Sequence, residues 1–274
     1  MSWRGRDISR HPVWRLTAMC VLALASNLTH AGTPASTAPS YTASGVVNAA
    51  TGLTGALSPN AIASIYGTNL AWTTQAVTTG DLVGGSLPTA LAGVTVYVDN
   101  IVSALFFVSP GQINFLIPYE VMATSVTVFV ERQGITGPVV TIPLAPVSPG
   151  FFQWNGNFAV AEHADFSLIS PEAPAQGGEI VVLYAAGLGH TIPDVPPGYI
   201  VSTAAWILAA DQLHILIGGE QCAANSIKYA GLTPGFAGLY QINLQLPADV
   251  PPDATIQMSI GTESSPAGIQ LYTQ

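Results

Sequence analysis

The chain repeats itself. Ser109-Pro110-Gly111-Gln112-Ile113-Asn114-Phe115-Leu116-Ile117-Pro118 returns as Thr233-Pro234-Gly235, followed by Gln241-Ile242-Asn243-Leu244-Gln245-Leu246-Pro247. Upstream, Ile65-Tyr66-Gly67-Thr68-Asn69-Leu70 has a counterpart in Leu183-Tyr184-Ala185-Ala186-Gly187-Leu188. Two ordered matches about 120 residues apart divide the 274-residue chain into two units of ordinary domain size. The expected organisation is a signal segment 1–31, a flexible leader 32–44, a first domain 45–147 and a second domain 148–274.

Residues 1–31 carry the marks of an export signal. Arg4, Arg6, Arg10 and Arg15 precede the apolar run Leu16 to Ala25, and Thr29-His30-Ala31 offers a cleavage point. The expected location is therefore secreted, periplasmic or cell-surface. No later apolar run approaches the roughly 20 residues that span a bilayer. Beyond residue 31 the basic residues are Arg132 and Lys228 against fourteen acids, a net charge of −12. Nucleic acid is excluded as a partner, since phosphate binding needs clustered Lys and Arg. Cys222 is the one cysteine left, so the mature chain closes no internal disulfide and the thiol reads as a small buried hydrophobe.

After the small, polar, Pro-bearing stretch Gly32 to Ser44, nearly every segment reads as strand. Val94-Thr95-Val96-Tyr97-Val98 alternates, Asp99-Asn100 supplies a tight turn, and Ile101 to Phe107 resumes the run. Ser125 to Val130 and Val139 to Ile142 flank a turn at Arg132-Gln133-Gly134. In the second half, Leu213 to Ile217 turns at Gly218-Gly219, and Ala254 to Ile260 turns near Gly261-Thr262 before Ile269 to Tyr272. Ala204 to Ala209 is the one stretch with a helical cast. Short strands every 8–12 residues or so predict an all-β chain of two tandem β-sandwiches, with immunoglobulin-like topology favoured over a barrel.

The repeated Gln-Ile-Asn motif has a sufficient scaffold reading. Period two puts Gln112 and Asn114 on one side of a strand, Ile113 and Phe115 on the other, and Pro118 stops the ladder. Gln241, Asn243 and Pro247 do the same in the second copy, and the amides are expected to bridge to loop backbone and fix the Ser-Pro-Gly turn. Tyr66-Gly67 and Tyr184-Ala185 read as strand ends with chain reversals.

Chemistry is sparse. There is no Gly-x-Ser-x-Gly, no zinc-type His spacing among His163, His190 and His214, and no calcium loop, so neither a cofactor nor a metal is expected. His190 with Asp194 is the one acid/base pair to note, and the remaining acids read as solvated turn residues. Aromatic residues remain. Trp72, Trp154 and Trp206 are the candidate ligand or partner contacts, while Phe151, Phe152 and Trp154 are expected to pack the two domains together.

Taken together, Val46-Val47-Asn48-Ala49-Ala50, Leu57-Ser58-Pro59, Tyr66 to Leu70, Val108 to Asn114, Ser148 to Phe152, Tyr184 to Gly189 and Gly231 to Asn243 resemble a family of unknown function abundant in secreted proteins of acidobacteria. The resemblance runs from about Gly45 to the end. The Gly-Thr-Asn-Leu strand end is also similar to the start of the IPT/TIG fold, which implies an early-set immunoglobulin-like sandwich. Where that family tends to carry Asp-Gly-Ser, this chain has His163-Ala164-Asp165-Phe166-Ser167, which implies a wider hairpin. The family supplies no catalytic residue. The resulting expectation is an exported, non-enzymatic binding or structural protein of the cell exterior, with a protein or polysaccharide partner. Two alternatives stay open: a carbohydrate-binding module using loop aromatics, and a hydrolase. Low charge and many strands also predict self-association through sheet edges. Function is expected where the copies differ, in 73–85, 151–174 and 191–211.

Overall fold

The computed structural model describes residues 38–274; the expected export signal lies outside them. No helix among the described residues is long and apolar enough to cross a membrane. Ten strands form the first unit. They are β1 Val46–Asn48, β2 Ile62–Tyr66, β3 Gln75–Ala76, β4 Val94–Val98 and β5 Ile101–Val102. Then follow β6 Leu105–Val108, β7 Gln112–Leu116, β8 Ser125–Arg132, β9 Ile135–Thr136 and β10 Val140–Pro143. The second unit opens with β11 Gly150–Phe151, β12 Gln153–Trp154, β13 Phe158–Ala159, β14 Ala161–Glu162, β15 Ile180–Ala186, β16 Thr191–Ile192 and β17 Ala205–Ile207. It closes with β18 Leu213–Ile217, β19 Glu220–Gln221, β20 Ile227–Leu232, β21 Tyr240–Gln245, β22 Thr255–Ile260, β23 Glu263–Ser264 and β24 Ile269–Gln270.

Each unit is a sandwich of two sheets. The first pairs β1-β2-β7-β6-β3 against β10-β8-β4-β5; the second pairs β11-β15-β21-β20-β17-β16 against β12-β13-β24-β22-β18-β19. β2-β7-β6-β3 therefore returns as β15-β21-β20-β17, and the repeated motif occupies β7 and β21. The chain is two tandem immunoglobulin-like sandwiches. The copies diverge at their edges: the second adds β16 at the end of the motif-bearing sheet, β14 beside β15, and β12-β13 on the opposite sheet.

Period two sets the interior. Ile113 and Phe115 are fully buried in the first core, and Ile242 and Leu244 in the second. On the opposite face, Gln112 Nε2 donates to Asn114 Oδ1 at 2.9 Å, and Gln241 Nε2 donates to Asn243 Oδ1 at 3.0 Å. The same amide pair recurs in both copies. It replaces the expected bridge to loop backbone, because a side chain two residues along the strand is the nearer acceptor. The turn is held instead by Ser109, whose hydroxyl accepts the Gln112 N–H at 2.9 Å.

Four local expectations change. Ile101 to Phe107 is cut at Ser103 and Ala104, both small and buried, where the chain leaves β5 and crosses to the opposite sheet as β6. Ala204 to Ala209 contains strand β17, with Ala205 and Ile207 inward and Trp206 outward; pairing with β20 overrides the weak helical cast. Tyr184-Ala185 lies within β15, and the reversal comes at Gly187, where φ is +78°. The end of the expected leader is held: Ser40 bridges Thr68 and Tyr41 is buried. Tyr41 donates to the Pro138 carbonyl at 2.6 Å and accepts the Val130 N–H at 2.8 Å. Burial pushes its phenol up to about 12, against the opposing Val130 bond.

At His163–Ser167 the hairpin turns with Phe166 in the left-handed region, φ +69°. Asp165 steadies it by accepting from the Ser167 N–H at 3.0 Å and hydroxyl at 2.6 Å. The Asx turn does the work that a glycine would do unaided.

The units are joined by a third apolar cluster. Ala50, Ile62, Leu87 and Leu116 of the first meet Phe152, Val182, Tyr184 and Leu239 of the second. Phe152 and Trp154 join it as expected, but Phe151 turns into the second core, because neighbours on a strand face opposite ways. Hydrogen bonds reinforce the junction: Asn48 Nδ2 donates to the Ser148 carbonyl at 2.9 Å, and Leu87 N–H to the Gly198 carbonyl at 2.9 Å. Gly187 sits against this seam, and a Cβ there would lie 2.1 Å from the Ser148 carbonyl oxygen. Gly187→Ala therefore meets both a left-handed backbone and a backbone clash, and will lower the unfolding free energy by about 2 kcal/mol or more. Urea unfolding measures it; a loss well below about 1 kcal/mol would show that the seam yields.

Candidate functional site

A cleft lies between the two units. About 610 Å³ in volume, it runs between Tyr119, Glu120 and Met122 of the first unit and His190, Ile192, Asp194 and Leu208 of the second. The first wall follows the strand-stopping Pro118. The second is the β16–β17 hairpin, in which Ile192 opposes Trp206 and the Leu208 N–H donates to the His190 carbonyl at 2.7 Å.

Register decides what this hairpin shows. Residues opposite one another in an antiparallel pair share a face, and every second residue returns to it. Thr191 and Ile207 point inward, at 3% and 2% exposure. Ile192, Trp206 and Leu208 point outward, at 58%, 44% and 60%. His190 shares their face, and Met122 stands across the cleft at 84%. Isolated exposed hydrophobes are common, but here Ile192 and Leu208 line the cleft with Met122, and Trp206 stands beside Ile192 on the same outward face, an apolar platform at the cleft's edge.

The platform is held from below. Tyr240, fully buried, donates its hydroxyl to the carbonyl of Gly189 at the base of the hairpin, and burial raises its phenol far above the ordinary range. Trp206 meets Tyr229 edge-on, ring centroids 4.8 Å apart, and the Tyr229 hydroxyl donates to the Leu232 carbonyl at 2.7 Å. Tyr119 meets His190 edge-on across the two units at 6.3 Å. His190 Nδ1 lies 3.4 Å from Asp194 Oδ1, a long contact that orients the ring loosely. No group of three or more metal-ligating side chains occurs among the described residues.

The three tryptophans part company. Trp206 is on the platform. Trp72 lies elsewhere, with Arg132 Cζ 3.6 Å over its ring and its Nε1 donating to Gln133 at 3.1 Å. Trp154 is part of the junction, edge-on to Tyr272 at 6.0 Å, while Phe158 stacks on the same tyrosine at 3.6 Å. Gln112, Asn114, Gln241 and Asn243 belong to the sheets and do not line the cleft. Sequence reasoning pointed to 191–211 without singling out Ile192 and Leu208 within it, and missed Met122 and Tyr119. The available signal was the period-two spacing of Trp206 and Leu208.

No family model matches the chain, and no curated protein matches it. Among solved structures it is similar to the plexin A4 extracellular region, at 10% identity over 86% of this chain and 18% of that one, TM-score 0.29. It is also similar to a surface glycan-binding protein of Prevotella bryantii, at 12% identity over 80% of this chain and 38% of that one, TM-score 0.27. A third is a Bacteroides ovatus protein of a mixed-linkage glucan utilization locus, in complex with a mixed-linkage heptasaccharide, at 10% identity over 80% and 43%, TM-score 0.31. The chain spans less than half the length of each of these.

Proposed function

We propose that this chain is a non-enzymatic binding protein of the cell exterior, whose contact surface is the platform of Ile192, Trp206 and Leu208 facing Met122 across the inter-unit cleft. The observation that carries the reading is the outward register of those three side chains on an anchored hairpin. An exposed, pre-ordered apolar face contributes affinity because little side-chain freedom is lost when it is covered. His190 Nδ1 faces Asp194, and among the described residues no nucleophile hydrogen-bonds its Nε2, so the non-enzymatic reading treats the two as an orienting polar pair. One observation favours a second reading, carbohydrate binding: Trp206 offers a fixed, half-exposed indole on which a pyranose ring can stack.

The test uses the secreted protein, fluorescently labelled, on intact cells that export it and on immobilised polysaccharides. Trp206→Ala with Leu208→Ala will weaken retention about tenfold or more at a stability cost of only about 1 kcal/mol, since Leu208 is 60% exposed and the half-exposed Trp206 gives up little beyond its edge contact with Tyr229. Undiminished retention by the double variant would remove the platform from the account. Turnover of an ester, peptide or glycoside panel that disappears in His190→Ala would overturn the non-enzymatic reading.

A further inference from the structure

The cleft is apolar within and acidic at its lips. Glu120 stands on the first wall and Asp194 on the second, and Asp211 follows three residues after Leu208. The only Lys and Arg among the described residues are Arg132, fully buried, and Lys228 on β20, whose Nζ donates to the carbonyl of Asn225 in the turn just before that strand. With fourteen acids against these two, the potential at the groove is negative. A second copy of the chain would bring the same charges to the same place, which opposes pairing of two grooves. Among the described residues β16 ends its sheet, so the short edge Thr191–Ile192 can receive an extended segment.

We propose that the groove takes an extended polypeptide segment of a partner protein in which an apolar or aromatic side chain is flanked by Lys or Arg. The inference rests on reading the platform as the contact surface. The central side chain lies against Met122, Ile192 and Leu208, and the flanking cations reach Glu120 and Asp194. Apolar burial supplies affinity; the carboxylates supply the choice of partner and the rate of encounter.

Two peptides test it on the full mature chain: acetyl-Lys-Leu-Phe-Leu-Lys-amide and acetyl-Glu-Leu-Phe-Leu-Glu-amide, titrated by calorimetry. At about 20 mM salt the Lys peptide will bind about tenfold more tightly, and the gap will narrow at about 300 mM. Glu120→Gln with Asp194→Asn will shrink the gap to about threefold or less, and Leu208→Ser will weaken both peptides. Equal affinities, no saturable binding of either peptide, or a gap that survives the charge variant overturns the inference. A neutral glucan retained by the wild type and lost in Trp206→Ala, with no peptide bound, overturns it too while the platform stands. Only binding that ignores Trp206→Ala and Leu208→Ala sinks the platform itself.

Discussion

Between pH 4.5 and pH 7 the protein will lose about 3 kcal/mol of stability that a Glu162→Gln variant keeps. Glu162 lies on β14, fully buried, and β14 pairs Ala161 with Leu183 and Glu162 with Val182. Ala161 and Leu183 enter the second core, whereas Val182 belongs to the junction, so Glu162 faces the seam. Its Oε2 accepts the Tyr184 hydroxyl at 2.7 Å, and its Oε1 has no partner. Burial pushes this carboxyl up to about 7 from an ordinary 4.5, with the Tyr184 bond pulling weakly the other way. The folded chain thus keeps a proton that the unfolded chain releases. The stabilisation is fully present below pH 4.5, declines as pH rises towards 7, and changes no further above it. Glutamine retains an acceptor for Tyr184 and cannot ionise, so its urea midpoint should fall less than the wild type's between pH 5 and 7. What slope remains comes from His163, which burial lowers but Glu179 holds protonated to a higher pH, a stabilisation lost as pH rises past neutrality. Parallel curves for wild type and variant would show that Glu162 does not govern the decline.

The repeat and the seam were unequally visible in the sequence, for a physical reason. Gln-Ile-Asn could be read because period two is local: Ile113 must oppose Gln112 whatever the sheet packs against. Turn chemistry was equally local, and Asp99-Asn100, both at positive φ, turn where expected. Everything that depends on a partner strand was hidden. Ala204 to Ala209 contains three alanines and a leucine that suit a helix, and only pairing with β20 extends it. The platform needs that pairing and then β16 on top, so its residues stand 14 positions apart in the chain and side by side in the sheet. Glu162 gave no signal, since nothing in Val160-Ala161-Glu162 tells a buried acid from a solvated one.

Arg132→Ala will be among the most damaging single substitutions in the first unit, costing about 3–5 kcal/mol. Arg132 ends β8 with no exposure, the bulkiest of the fully buried side chains. Its Nη1 donates to the Asn69 carbonyl in the loop after β2, a residue held at φ +57°. The Trp72 ring lies over the guanidinium at 3.6 Å, and the indole N–H is tied to Gln133 next door. Alanine leaves a cavity, frees the Asn69 carbonyl and removes the cation under the indole; a desolvated cation–π contact is itself worth about 2 kcal/mol. Trp72→Ala should therefore cost about 2 kcal/mol, and Trp72→Phe less, because phenylalanine keeps a ring face over the charge. A free ligand platform behaves otherwise: its truncation costs little stability and removes binding. One face of Trp72 is already taken by Arg132, so urea unfolding of Trp72→Ala separates the two roles. An unchanged midpoint, together with lost retention on cells, would return Trp72 to the binding surface and leave Trp206 as one of two platforms.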